Sequence, residues 1–240
     1  MKQKSLFWIG LGTAAGVALT RWQMARWFSE QPEYEVEDHI GPLEIRHYER
    51  VIRAETTVEG RSWDEALSEG FRRLAGYIFG GNRPREALAA AGHEQIEMAP
   101  AAARAQKIAM TAPVNVRTER HALANLVSGE HQSGEQQTGT SFTVTFTMPK
   151  ERSAGSLPVP ADSRVRLRSV PPRRVAVLRY TGPYTARRVA EKSRALLEAV
   201  EAAGLKTRGE PEFAGYDPPT TLPWLRRNEI WIELGSPTAP

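Results

Sequence analysis

His47 is the residue of this 240-residue chain best suited to hold a metal-centred group. It lies in the alternating stretch Leu43-Glu44-Ile45-Arg46-His47-Tyr48, where Leu43, Ile45 and His47 share one face and Glu44, Arg46 and Tyr48 the other. An imidazole on the apolar face has two readings. It is a satisfied histidine at the rim of a core, or it is an axial ligand, since imidazole commonly binds haem iron. Met110 offers a thioether for the same chemistry, although a lone methionine more often packs. His121 and His131 fall in a polar stretch with no partner pattern around them and read as solvated.

Other chemistries are excluded by what is missing. The chain has no cysteine, which rules out disulfides, thiolate catalysis, cysteine zinc sites and covalent haem attachment. It has no Ser-His-Asp signature, no HExxH and no glycine-rich phosphate loop, so it reads as a binding protein rather than an enzyme. The net charge is +4, but the 32 basic residues are interleaved with 28 acidic ones. That pattern reads as a solvated surface, with no nucleic acid expected as partner.

The elements that would position these residues follow from periodicity. Ser62 and Glu65 form a capping box at the start of a helix. Trp63, Ala66, Leu67, Phe71, Leu74, Ala75, Ile78 and Phe79 then recur at helical spacing, and Gly80 and Gly81 stop it. The chain before the helix reads as a strand start at Tyr34–Val36, a turn at Ile40–Pro42, the strand of His47 and a return strand, Val51–Val58. Lys107 to Val116 reads as a strand in which Pro113 needs an edge or a bulge. Residues 119–140 read as a long exposed loop, and Ser141–Met148 as a half-buried strand.

The pattern then returns. Val165–Val170, a turn at Pro171-Pro172 and Arg174–Tyr180 form a second strand–turn–strand. A helix runs from Ala186 to about Ala203, with Val189, Leu196, Leu197, Val200 and Ala203 on its apolar side and Gly204 at its end. Glu212–Tyr216 and a last strand, Asn228–Leu234, complete the copy. Two such halves, about 34–148 and 163–234, imply one α+β domain with pseudo-twofold symmetry, spanning 31–240. A groove between a helix and the sheet is the expected ligand pocket.

The first thirty residues differ. Lys2 and Lys4 precede an uncharged run, Ser5–Thr20, and Arg21 and Arg26 follow with Trp22 and Trp27. As a helix the run spans about 24 Å, slightly short of a ~30 Å hydrocarbon core. We expect an uncleaved signal anchor, or a cleaved signal peptide, and hence a membrane-anchored or exported, extracytoplasmic protein. Basic residues on both flanks leave the orientation open.

Taken in order, Leu43-Glu-Ile-Arg-His-Tyr48, the helix from Ser62 to Gly80, Lys107-Ile-Ala-Met-Thr-Ala-Pro-Val114, Phe146-Thr-Met-Pro149, and Gly215-Tyr-Asp-Pro-Pro219 through Asn228-Glu-Ile-Trp231 resemble the SOUL haem-binding family over nearly all of Tyr34–Leu234. The resemblance implies a distorted antiparallel β-barrel of two pseudo-symmetric βαββ-like repeats with two long helices. It also implies non-covalent binding of haem or a related tetrapyrrole, as a carrier or buffer. His47 matches the histidine proposed as axial ligand in one branch of that family; other members use an apolar groove beside the first helix. Leu67, Phe71 and Leu74 are the matching groove candidates, and Arg174 or Arg226 would pair with propionates.

The same architecture also resembles effector-binding domains of bacterial regulators, which capture amphipathic or cationic small molecules with an acidic residue on the last repeat. Glu229 would take that part here, without an accompanying helix-turn-helix. A hydrolase using Glu229 as general base is the third class.

Overall fold

Alternation around His47 is that of strand β2 (Leu43–Tyr48), the second of nine strands in one sheet. The structure, a computed structural model, describes residues 29–85, 105–118 and 141–235. The apolar run of the first thirty residues, the 119–140 loop, His121 and His131 lie outside the described residues. The chain divides into two compact units, Met1–Glu30 and Gln31–Pro240, and every element named here belongs to the second.

In chain order these are β1 (Tyr34–Ile40), β2, β3 (Val51–Glu59), α1 (Trp63–Ile78), β4 (Asn82–Arg83), β5 (Val114–Thr118), β6 (Ser141–Thr147), β7 (Val159–Pro160), β8 (Val165–Val170), β9 (Arg173–Tyr180), α2 (Ala186–Ala202), β10 (Thr207–Gly215) and β11 (Asn228–Leu234). β4 and β7 form a separate two-stranded pair.

Helix α1 starts where its capping box requires. The Ser62 hydroxyl accepts from the Glu65 N–H, and the Glu65 carboxylate accepts from the Ser62 N–H at 3.1 Å. Such a cap stabilises by about 1 kcal/mol. The buried face of α1 is Trp63, Ala66, Gly70, Leu74, Tyr77 and Ile78. Phe71 and Phe79 belong to the same apolar stripe in sequence, yet are 38% and 60% exposed. Helix α2 is capped by Thr185 and buries Val189, Ala190, Ser193, Leu196 and Val200, whereas Leu197 faces outward.

The sheet order is β1-β2-β9-β11-β10-β5-β6-β3-β8, antiparallel at every pairing. Corresponding strands of the two halves are β2 and β8, β3 and β9, β5 and β10, β6 and β11. Read outward from the β10–β5 pair, the order is therefore the same in both directions. Each half lends its first strand to the other: β2 pairs with β9, and β8 pairs with β3. Val51–Glu59 is thus not the return strand of a hairpin with β2. It pairs with β6 and β8 instead.

This exchange forces the sheet to curl. Only Glu49 and Arg50 separate β2 from β3, and only Pro171 and Pro172 separate β8 from β9. Three Cα steps span at most about 11 Å. Both links therefore draw opposite ends of a nine-stranded sheet together. A direct consequence is the ion pair between Arg53 on β3 and Glu212 on β10, at 2.8 Å, with β5 and β6 between them in the sheet. The barrel does not close, however. The sheet ends at β1 and β8, making a curled half-barrel rather than the expected barrel.

The sheet has two distinct faces. Alternation points Leu43, Ile45, Ala54, Val58, Val116, Phe142, Val144, Phe146, Ala176, Phe213, Ile230 and Ile232 toward the helices, in one continuous core. Helix α1 packs on β3, β6 and β8, while α2 packs on β2, β9, β10 and β11. The opposite face combines polar groups with a small apolar cluster, Tyr48, Val175, Val177, Ala214 and Trp231, and the curl buries much of it: Arg46 is 1% and Arg53 5% exposed, and Glu229 is 0%.

The segment before β5 also departs from expectation. Residues 105–113 are not a continuous strand; β5 begins at Val114, directly after Pro113, which has no N–H to give a ladder. The segment is instead tied to α1. The Ile108 N–H bonds the Ile78 carbonyl at 2.9 Å, and Asn82 bonds both the Tyr77 and Gln106 carbonyls at 2.7 Å.

Candidate functional site

The exposed apolar groups of α1 form the first candidate site. Phe71 stands out from the helix, its ring edge-on to Phe146 at 5.4 Å between centroids. Leu67, one turn earlier, is half-buried, and Phe79 is exposed just beyond the last turn. Met110, 38% exposed, lies two residues after the Ile108–Ile78 bond, and the next residue, Thr111, bonds the Thr147 carbonyl. Apolar surface of this kind is what a flat aromatic ligand needs. Leu74 is placed differently: it is 0% exposed, so it supports the surface from beneath.

His47 stands apart from these residues. Its strand, β2, lies under α2, whereas Leu67, Phe71 and Leu74 belong to α1 over the other half. Its side chain is 33% exposed, with Nδ1 3.7 Å from Glu37 and Nε2 3.8 Å from Glu49. Alternation puts it on the face of Leu43 and Ile45, but at the end of the strand, where the core gives out. Among the described residues no group of three or more histidine, aspartate or glutamate side chains is placed to hold a metal ion.

Glu229 is the centre of the most heavily bonded cluster. It is buried on β11, opposite the helices, and β2 supplies Arg46 to meet it. Arg46 donates to both Glu229 oxygens, at 2.9 and 3.2 Å, and to Glu44 at 2.6 and 2.8 Å. Arg227 donates to Glu229 at 2.8 and 3.0 Å, and the Tyr216 hydroxyl and the Trp231 indole N–H each donate at 2.8 Å. The guanidiniums stack on rings, Arg46 over Tyr34 at 4.2 Å and Arg227 over Tyr216 at 3.9 Å.

Burial alone would push the Glu229 carboxyl up. The bonds and charge of Arg46, with those of Arg227, outweigh it and hold the group below the usual carboxylate range. Burial pushes the Tyr48 hydroxyl up to about 12, so it stays protonated beside Arg46. A carboxylate so fully occupied has no lone pair to offer a cationic ligand, and one held below its usual pKa is a weak general base.

The two arginines considered for propionates are also engaged. Arg174 donates to Glu37 at 2.6 Å. Arg226 donates to the Thr221 and Pro219 carbonyls at 2.8 and 2.6 Å and lies over the Tyr184 ring. Sequence reasoning missed Arg46, Arg53 and Arg173, because a strand that alternates arginine with apolar residues looks like one with a solvated face. The signal that could have found them is the pair of very short links, which makes that face close on itself.

A curled nine-stranded antiparallel sheet under two helices defines an α+β half-barrel domain. The model of the SOUL heme-binding protein family matches residues 29–233, and the chain belongs to that family. It is 28% identical to heme-binding protein 2 of Mus musculus over 224 residues, covering 92% of this chain and 91% of that one. It is equally 28% identical to heme-binding protein 2 of Homo sapiens, over 87% of this chain and 88% of that one. Among solved structures, the C-terminal domain of EcmrR aligns at 9% identity with a TM-score of 0.49, over 84% of this chain and 98% of that one.

Proposed function

We propose that this protein binds a tetrapyrrole non-covalently against the outer surface of α1, and acts as a carrier or buffer rather than an enzyme. The observation that carries the reading is the exposure of Phe71 on α1 and of Phe79 just beyond its end, beside a buried face of Trp63, Ala66, Leu74, Tyr77 and Ile78, within a chain of the SOUL family. Two aromatic side chains left in water have a structural cost that a flat apolar ligand would relieve. Leu67, half-buried one turn before Phe71, adds apolar area beside it.

Attachment to a membrane, or export, through the first thirty residues belongs to the same proposal; the composition of Ser5–Thr20 supports it. The cation-capture and hydrolase readings lose support, because both need Glu229 free and it is fully bonded.

The test is a haemin titration of the purified chain, followed by Soret absorbance, with His47→Ala in parallel. We expect saturation at one equivalent in both proteins, with the same spectrum, since His47 lies under α2 and not beside Phe71. A spectrum that changes in His47→Ala would move the ligand to the β2 histidine. No saturation at low micromolar protein would reject tetrapyrrole binding.

A further inference from the structure

The polar face of the sheet holds a second group of arginines, separate from the Glu229 cluster. They surround a cavity of about 340 Å³, within the lower range of small-molecule sites. Five arginines and four glutamates line it. Three of the arginines have carboxylate partners. Arg53 bonds Glu212 at 2.8 Å, Arg168 lies 3.8 Å from Glu55, and Arg208 lies 3.7 Å from Glu233. Glu210 is the fourth acidic residue of the lining.

Arg117 and Arg173 have neither an ion pair nor a hydrogen bond from their side chains among the described residues. The Nε of Arg173 is buried without an acceptor, and so is that of Arg53, whose side chain is 6% exposed. Both arginines line the cavity, and each carries a buried N–H that the protein itself leaves without an acceptor. Burial, with the charge of Arg53 beside it, draws the Arg173 guanidinium down to about 10. Glu212 and Glu233 act on it in the opposite sense, but neither forms an ion pair with it, and the lining carries five arginines against four glutamates.

The rest of the lining is Val170, Pro171, Val175 and Trp231, with Thr145 and Gly209. The space exceeds what a bare inorganic anion fills, and four of these side chains can meet an apolar body. We propose that this cavity binds a small organic carboxylate, its oxyanion held by the guanidinium groups of Arg173 and Arg117, its apolar body against Val175 and Trp231. A guanidinium presents parallel N–H donors that match a carboxylate. The site lies on the opposite face of the sheet from α1, so the inference does not rest on tetrapyrrole binding.

The experiment is calorimetric titration of the full chain with 3-phenylpropionate and, separately, with inorganic phosphate. We expect saturable binding of 3-phenylpropionate, weakened at least about tenfold in Arg173→Gln and in Arg117→Gln. The exposed α2 variant Arg187→Gln should bind as the parent does. Phosphate should not saturate at concentrations up to about 10 mM. A second measurement guards against variants that misfold. Arg173→Met, which removes an unpaired desolvated charge, should raise the ligand-free Tm by a few degrees. Phosphate binding as tight as phenylpropionate, unchanged affinity in both arginine variants, or a fall in the Tm of Arg173→Met would each overturn the proposal.

Discussion

Glu229→Ala is expected to destabilise the fold by about 3–5 kcal/mol, seen as a fall in Tm on the order of 10 °C. The side chain is wholly buried and is the counter-charge of two guanidiniums. Arg46 is 1% exposed, so once Glu229 is gone it cannot turn to water, and the half of its guanidinium that met Glu229 is left unpaired while Glu44 holds the other half. The Tyr216 hydroxyl and the Trp231 N–H lose their acceptor at the same time. Replacing the pair together, Arg46→Met with Glu229→Leu, should recover much of the loss, because the cost lies in stranding one charge rather than in lacking the pair.

The same cluster sets the response to acid. In the folded protein the Glu229 carboxyl lies below its ordinary value of 4.5, because Arg46 and Arg227 outweigh the effect of burial; Glu212 lies below it too, through Arg53 and Arg173. The folded protein binds these protons more weakly than the unfolded chain. Their stabilisation is therefore complete above about pH 4.5 and is lost as the pH falls through the folded values. Denaturant midpoints measured down the acid range should drop more steeply in the parent than in the Arg46→Met, Glu229→Leu variant.

Gly70→Ala should cost about 1–3 kcal/mol, although alanine is the better helix former by about 1 kcal/mol. A Cβ on Gly70 would lie 2.3 Å from Val144 Cγ2 and 2.6 Å from Val144 Cβ. Val144 is itself 0% exposed on β6 and β-branched, so it has no empty space to turn into. Gly70 is what lets α1 sit this close to the sheet. Moving the helix outward would disturb Phe71 and its contact with Phe146, so the variant should weaken ligand binding along with stability. Equilibrium unfolding in urea measures the first effect. An unchanged or raised midpoint would show that the helix rides higher than the geometry says.

Much of this fold is legible in the sequence, for a local reason. Ser62 and Glu65 cap α1 through atoms three residues apart, and Ser141–Thr147 alternates Phe142, Val144 and Phe146 with serine and threonine, so both elements are written in short windows. Strand partners are not local. Period-two alternation tells which residues share a face but not which strand lies alongside, so the exchange of β2 and β8 between the halves stays hidden. The buried polar face is hidden for the same reason. Glu44, Arg46 and Tyr48 are assigned to one face by alternation alone, but that Arg46 lies there under 1% exposure follows only from the curl.

The helix surface teaches the converse. Phe71 and Phe79 sit in the apolar stripe beside Leu74 and Ile78, and the stripe does not reveal that the core uses only part of it. His47 shows a third limit. Its face is set by the strand, but its distance from α1 depends on which helix covers β2, and that is α2.

If the exposed aromatics of α1 receive the ligand, the haemin affinity of a Phe71→Gln, Phe79→Gln double variant shows it most directly. Phe79 is 60% and Phe71 38% exposed, and neither belongs to the buried face of α1, so folding should survive the exchange. The account predicts that haemin affinity falls at least about tenfold, equivalent to about 1.4 kcal/mol, while the circular dichroism spectrum is unchanged. Undiminished affinity in a folded double variant would contradict it and place the ligand elsewhere on the molecule.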